Sequence, residues 1–168
     1  MERFQEARQK ALANLKAADH ILNVTYPLLK DTRLLLGVLD SIFLSVTNSM
    51  SAILRYELFF KEIPPFHDNF ESKLTVFQQC AQKYSINTEY IKLMREIKDI
   101  IVLHRKSKIE FRKQDRFIIC SDDYAVTTVT ANQLKDYIKK AKELFMLMDN
   151  IVEHERILRG SEGRIEAR

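Results

Sequence analysis

The chain has 168 residues, of which 46% are hydrophobic, enough for one domain to bury a sizeable core. Only three Gly and three Pro occur, so turns are few and elements long, which argues against a sandwich or barrel and for an all-α chain. The formal charge is +4, and six of the 27 cations with only two of the 23 carboxylates fall between His104 and Arg116, leaving 21 of each sign elsewhere. The excess is therefore local, and a compact excess draws phosphates or acidic partners more effectively than a diffuse one.

Cys80 and Cys120 stand far apart with no CxxC spacing, so neither a disulfide framework nor a zinc site has support. A reducing cytoplasm is the expected setting. The first residues are charged and amphipathic, unlike a secretory signal with a continuous apolar core.

Phe4, Ala7, Ala11, Leu15, Ala18 and Leu22 recur at helical spacing and predict a first helix over about 2–23, with small residues suited to close packing. Tyr26-Pro27 is expected to break it. A long second helix over about 31–62 follows, stopped by Ile63-Pro64-Pro65, with Gly37 as a place to bend. Asp40, Thr47, Ser51, Arg55 and Glu62 make a polar line on it. Ser41, Ser45, Ser49 and Ala52 make a line of small side chains against which another helix, from this chain or a second copy, can lie. Its apolar stretch is interrupted by polar and charged residues throughout, which disfavours membrane insertion.

Asp68 or Asn69 caps a third, shorter helix carrying Phe70, Leu74, Phe77, Cys80 or Ala81 and Tyr84. Thr88 is the expected cap of a fourth, whose core face includes Ile91, Met94, Ile97 and Ile101. The period then changes. Residues 116–120 and 124–129 read as two strands of a small hairpin joined by Ser121-Asp122-Asp123. Thr130 and Gln133 have the spacing of a capping box that opens the last helix. It is expected over about 131–158 with Leu134, Tyr137, Ile138, Ala141, Leu144, Phe145 and Met148 inward and a lysine-rich polar face. Residues 1–158 thus read as one domain, an up-and-down bundle of about five helices with an inserted hairpin, and 159–168 as a loose charged tail.

No phosphate-cradling glycine loop, nucleophile elbow, HExxH or EF-hand spacing occurs. His20, His67, His104 and His154 lie on separate elements, so no metal is expected, and Asp122 and Asp123 suit a turn better than a cation site. Met94, Met146 and Met148 sit at core spacing, and no cofactor is implied.

The basic segment carries the most chemistry. Arg105, Lys106, Lys108, Arg112, Lys113 and Arg116 can neutralise phosphates, and Phe111 can stack on an unpaired base, the combination of sequence-tolerant single-strand binders. The competing account is a solvated helix end, in which these cations complement the helix dipole and pair locally with Glu110 and Asp115.

The order of elements, with an Ala-rich first helix, a long second, a short third, a fourth ending in a charged stretch, and a last one opened by Val129-Thr130-Ala131-Asn132-Gln133, resembles the HEPN superfamily of helical-bundle proteins over roughly residues 3–153. The resemblance implies an RNA-directed protein, commonly a homodimer, and in some members a partner nucleotidyltransferase in a toxin and antitoxin pair. Ribonuclease members carry an arginine followed after four to six residues by histidine near the fourth helix. Here His104 precedes Arg105 and no histidine follows it up to Arg116. Histidine exchanges protons near neutral pH and arginine stabilises phosphate charge, so the departure weighs against RNA cleavage and for binding without chemistry. In the catalytic alternative His104 is a displaced equivalent acting with Arg105 or Arg112, and Arg95 is a further phosphate contact.

Overall fold

The computed structural model describes the backbone of residues 2–165, with side chains through Glu153 and that of Ile157. The chain forms α1 (Arg3–His20), a π-helical turn (Ile21–Thr25), α2 (Tyr26–Leu29), α3 (Leu34–Phe59), α4 (Phe70–Lys83), α5 (Glu89–Lys106), β1 (Ile109–Lys113), β2 (Arg116–Cys120), β3 (Val126–Thr130) and α6 (Ala131–Ile165). It is mostly helical, as its composition implies, but carries a three-stranded antiparallel sheet, in the order β1-β2-β3, in place of a two-stranded hairpin.

The core is built around α3, whose Leu35, Val38, Leu39, Ile42, Val46, Met50, Ile53 and Leu54 are almost fully buried. α3 packs against α1, α6, α4 and α5, most extensively against α1. Ala7, Ala11 and Ala18 let α1 come close, and Ser45 Oγ donates a 2.9 Å hydrogen bond to the Ala11 carbonyl. Part of the small-residue line on α3 is therefore occupied within the chain. α3 is also long and apolar enough to cross a membrane, with mean hydropathy 1.4 over its most apolar stretch, half of which is buried in this bundle.

Three local expectations are corrected. Pro27 does not end the first helix: the Tyr26 N–H bonds the Ile21 carbonyl five residues back, and this wider π turn accommodates the proline ring within a continuing helix. The reversal comes at Lys30, whose φ of 51° is left-handed. Thr88 stands at the cap position of α5 but with helical φ and ψ and no side-chain cap bond, and the Asn87 carboxamide accepts the Glu89 N–H at 2.9 Å. Met146, expected inside, is 64% exposed, whereas Met94 and Met148 are buried.

Other signals hold. Asn69 Oδ1 accepts the Ser72 N–H at 2.9 Å at the start of α4. Thr130 Oγ1 accepts the Gln133 N–H at 3.2 Å, but the Gln133 amide turns to Tyr137 Oη at 2.8 Å, so only half of the capping box forms. α6 continues to Ile165, past the expected end near 158 and through Gly160 and Gly163. Residues 166–168 of the expected tail lie outside the described residues.

Candidate nucleic-acid interface

The basic segment is neither a plain helix end nor a loop: it divides between the last turn of α5 and the edge strand β1. β1 and β2 join through Gln114-Asp115, flanked by the pair Lys113 and Arg116, and Gln114 takes the left-handed φ of 57° that a two-residue hairpin turn needs. Ser107 Oγ lies 2.7 Å from the Cys120 carbonyl and 2.9 Å from that of Ile109, fixing the strand's departure from α5.

Alternation along the strands sorts the segment by face. Phe117, Ile119 and Val129 point into the core and are at most 6% exposed. Their cross-strand partners on β1 are Arg112 and Glu110, which share that inner face at the sheet edge. Arg112 Nη1 lies 3.2 Å from Asp31 Oδ1. Arg33 holds the Asp31 carboxyl most strongly, through hydrogen bonds that include Nη2 at 2.7 Å, and with Arg112 brings it down to about 2. His104 Nδ1 lies 2.6 Å from Glu110 Oε1, and its ring stands edge-on to Phe117.

The outer face carries the remaining rows: Ile109, Cys120 and Val126; Phe111, Ile118 and Thr128; Lys113, Arg116 and Thr130. Ile109 is 57% exposed, Phe111 46% and Val126 61%, while Ile118 is covered in the central strand. At one end Lys108, Ile109, Tyr124 and Val126, with the exposed carboxylate Asp122, line an open hollow of about 410 Å³, with Tyr124 standing at a left-handed φ of 64°. At the other end stand Lys113 and Arg116, roughly 13 Å away at 3.3 Å per residue. The result is an apolar platform with two aromatic side chains, a basic end at Lys113 and Arg116, and a mixed end where Lys108 and Asp122 meet.

Of the expected binding residues, Phe111, Lys113 and Arg116 share this face. Lys108 stands at its margin, and Arg105 and Lys106 are exposed on the last turn of α5. Among the described residues these five cations make no ion pair, whereas Arg112 is engaged by Asp31. Of the alternative catalytic group, His104 is held by Glu110, Arg112 by Asp31, and Arg105 is exposed beside His104 in sequence. Arg95 is exposed in the middle of α5.

Ile109, Tyr124 and Val126 are platform residues that sequence reasoning missed. The signal was present: Ile109-Glu-Phe-Arg-Lys113 alternates apolar and polar at its start, and Gln114-Asp115 separates it from a second β-like run. Ser121 and Asp123 form the β2–β3 turn, where the Ser121 hydroxyl and the Ala125 amide hold the Asp123 carboxyl below its usual range. Among the described residues no group of three or more His, Cys, Asp or Glu is arranged to hold a metal ion.

A second charged cluster has a structural role. Glu57 on α3 is 1% exposed and receives Lys83 Nζ at 2.9 Å and the Tyr84 hydroxyl, tying α3 to the end of α4. Burial first, then the Glu57 charge, push the nearby Cys80 thiol up to about 11.

No family model matches the chain, and neither a curated protein nor a solved structure matches it significantly.

Proposed function

We propose that this chain is a noncatalytic, HEPN-like interaction protein that binds single-stranded RNA on the outer face of its sheet. The observation that carries the reading is the placement of half-exposed Phe111 on the same face as Lys113 and Arg116, with Tyr124 and Lys108 at the far end. Bases stack on the two rings while the cations neutralise phosphate, a combination that needs no sequence-specific hydrogen bonds. Aliphatic Ile109 and Val126 exclude water beneath the bases. The order of helices supports the HEPN-like, up-and-down assignment, and with it come a cytoplasmic setting, a homodimer and a nucleotidyltransferase as partner.

The test is fluorescence anisotropy with mixed-sequence single-stranded and duplex RNA. Phe111→Ala is expected to weaken single-strand binding about tenfold and duplex binding little, because stacking on an unpaired base contributes ~1–3 kcal/mol. Single-strand binding unchanged in Lys113→Glu/Arg116→Glu refutes the reading.

Two observations favour other readings. The Glu110 carboxylate lies 2.6 Å from His104 Nδ1, the carboxylate–histidine contact that orients an imidazole in many catalytic sites. This supports a divergent ribonuclease, for which RNA cleavage lost in His104→Ala is the diagnostic. β1 is also a sheet edge, on which an extended acidic segment of a protein partner can add as a strand. Binding of an acidic peptide but not RNA selects that reading.

A further inference from the structure

We infer that the single strand does not end at the sheet but continues over the β1–β2 turn into a basic groove between the end of the first helix and α6. This rests on the reading just proposed and adds a second subsite to it. Two cavities form the groove. The first, about 500 Å³, is bordered by Tyr26, Lys30, the hairpin residues Gln114 and Asp115, and Lys135. The second, about 350 Å³, shares Leu22, Asn23 and Lys135 with the first and runs on past Lys139 to Lys142. The hairpin residues on the wall of the first cavity lie between Lys113 and Arg116, the basic end of the outer sheet face. The platform and the groove are thus consecutive.

The groove repeats the composition of the platform. Tyr26 supplies an aromatic ring, and Lys30, Lys135 and Lys139 supply cations that make no ion pair among the described residues. Lys135, Lys139 and Lys142 follow one another at helical spacing on one side of α6, spanning roughly 10 Å at 1.5 Å per residue. The carboxylates along the path are largely engaged: Asp19 accepts Lys142 Nζ at 3.1 Å, and Glu143 accepts the Tyr90 hydroxyl at 3.2 Å. The Tyr90 hydroxyl is neutral, so Glu143 keeps its charge, and with Asp115 on the exposed turn it stands against the unpaired Lys30, Lys135 and Lys139, leaving the walls with a small positive excess. Cations without partners along an open apolar-floored groove fit a flexible polyanion with flat bases better than a compact anion, which needs convergent donors.

The experiment uses the full chain and labelled oligouridylates of about 5 and about 15 nucleotides, near the two ends of the usual range of single-strand site sizes. Lys135→Glu/Lys139→Glu should weaken the long oligomer at least about tenfold and leave the short one within about twofold. Its salt slope for the long oligomer should fall by roughly 1.4, two phosphate contacts at ~0.7 each. Tyr26→Leu, which keeps an apolar side chain in the helix, should weaken the long oligomer alone, and Lys135→Gln/Lys139→Gln serves where charge reversal perturbs folding. A groove variant that binds both lengths as the parent does overturns the continuation and leaves the sheet reading standing, whereas one that loses both equally while keeping its helical spectrum overturns the division into two subsites and places the primary site in the groove. A parent that binds neither length overturns both. Polyglutamate bound as tightly as the long oligomer, and lost in the same variant, overturns the nucleic-acid occupant in favour of an acidic protein segment.

Discussion

The sorting of the basic segment by sheet face can be read directly from the salt dependence of binding. Each phosphate contact to a single strand contributes ~0.7 to the fall of log affinity with log salt. If Arg105, Lys106, Lys108, Lys113 and Arg116 all engage a short oligomer and Arg112 stays on Asp31, the slope is roughly 3.5, against roughly 4.2 with Arg112 included. A fourfold rise in salt then costs on the order of 10²-fold in affinity. Lys113→Gln and Arg116→Gln should each lower the slope by ~0.7. Arg112→Gln should leave it unchanged and barely alter stability, because the pair it breaks is exposed and screened. The Asp31 carboxyl, held at about 2, keeps its charge throughout an assay between pH 5 and 8 and would lose the pair only as pH falls toward 2. Anisotropy titrations over a salt series, with chemical denaturation of each variant, supply both readouts. An Arg112→Gln slope reduced as much as those of Lys113→Gln and Arg116→Gln would show that the ion pair yields to phosphate, and the division of the strand into two faces would fail as an account of binding.

Phe117→Ala should cost ~3–5 kcal/mol in chemical denaturation because Phe117 lies in the core, whereas Phe111→Ala should cost under ~1 kcal/mol; equal costs would reject the strand register. Lys83→Met should cost ~3 kcal/mol by leaving buried Glu57 without its cation, and a near-zero cost would mean that the Tyr84 hydroxyl and the surroundings suffice for that carboxylate. Iodoacetamide at pH 8 should label Cys120 and spare Cys80, whose thiol is buried and held up to about 11, until denaturant is added; mass spectrometry showing Cys80 alkylated at the rate of Cys120 in the native protein contradicts its burial.

Much of the helical framework was legible because a helix writes its buried face into the sequence at fixed spacing. The stripe from Phe4 to Leu22 and that from Leu134 to Met148 are buried as their period requires, and Asn69 caps as its side chain allows. Local chemistry misled where two neighbours compete for one role or where the backbone has a rarer option. Asn87 makes the side-chain cap bond expected of Thr88, and a π turn carries the helix through Pro27. The sheet was half read: β2 and β3 announced themselves by β-branched and aromatic residues, while the high charge of β1 masked its alternation.

Composition concentrated the positive charge between His104 and Arg116 and placed an aromatic ring within it, and this much the chain determines by itself. Which of those side chains face solvent was decided only by pairing. A strand's side chains alternate with period two, so the register that buries Phe117 and Val129 assigns Arg112 to Asp31 and Glu110 to His104, and turns Ile109, Phe111 and Lys113 outward. Contacts between residues as distant in sequence as Arg112 and Asp31, or Lys142 and Asp19, leave no local periodicity to read. The platform and the groove beside it exist only once α1, α6 and the sheet are packed together.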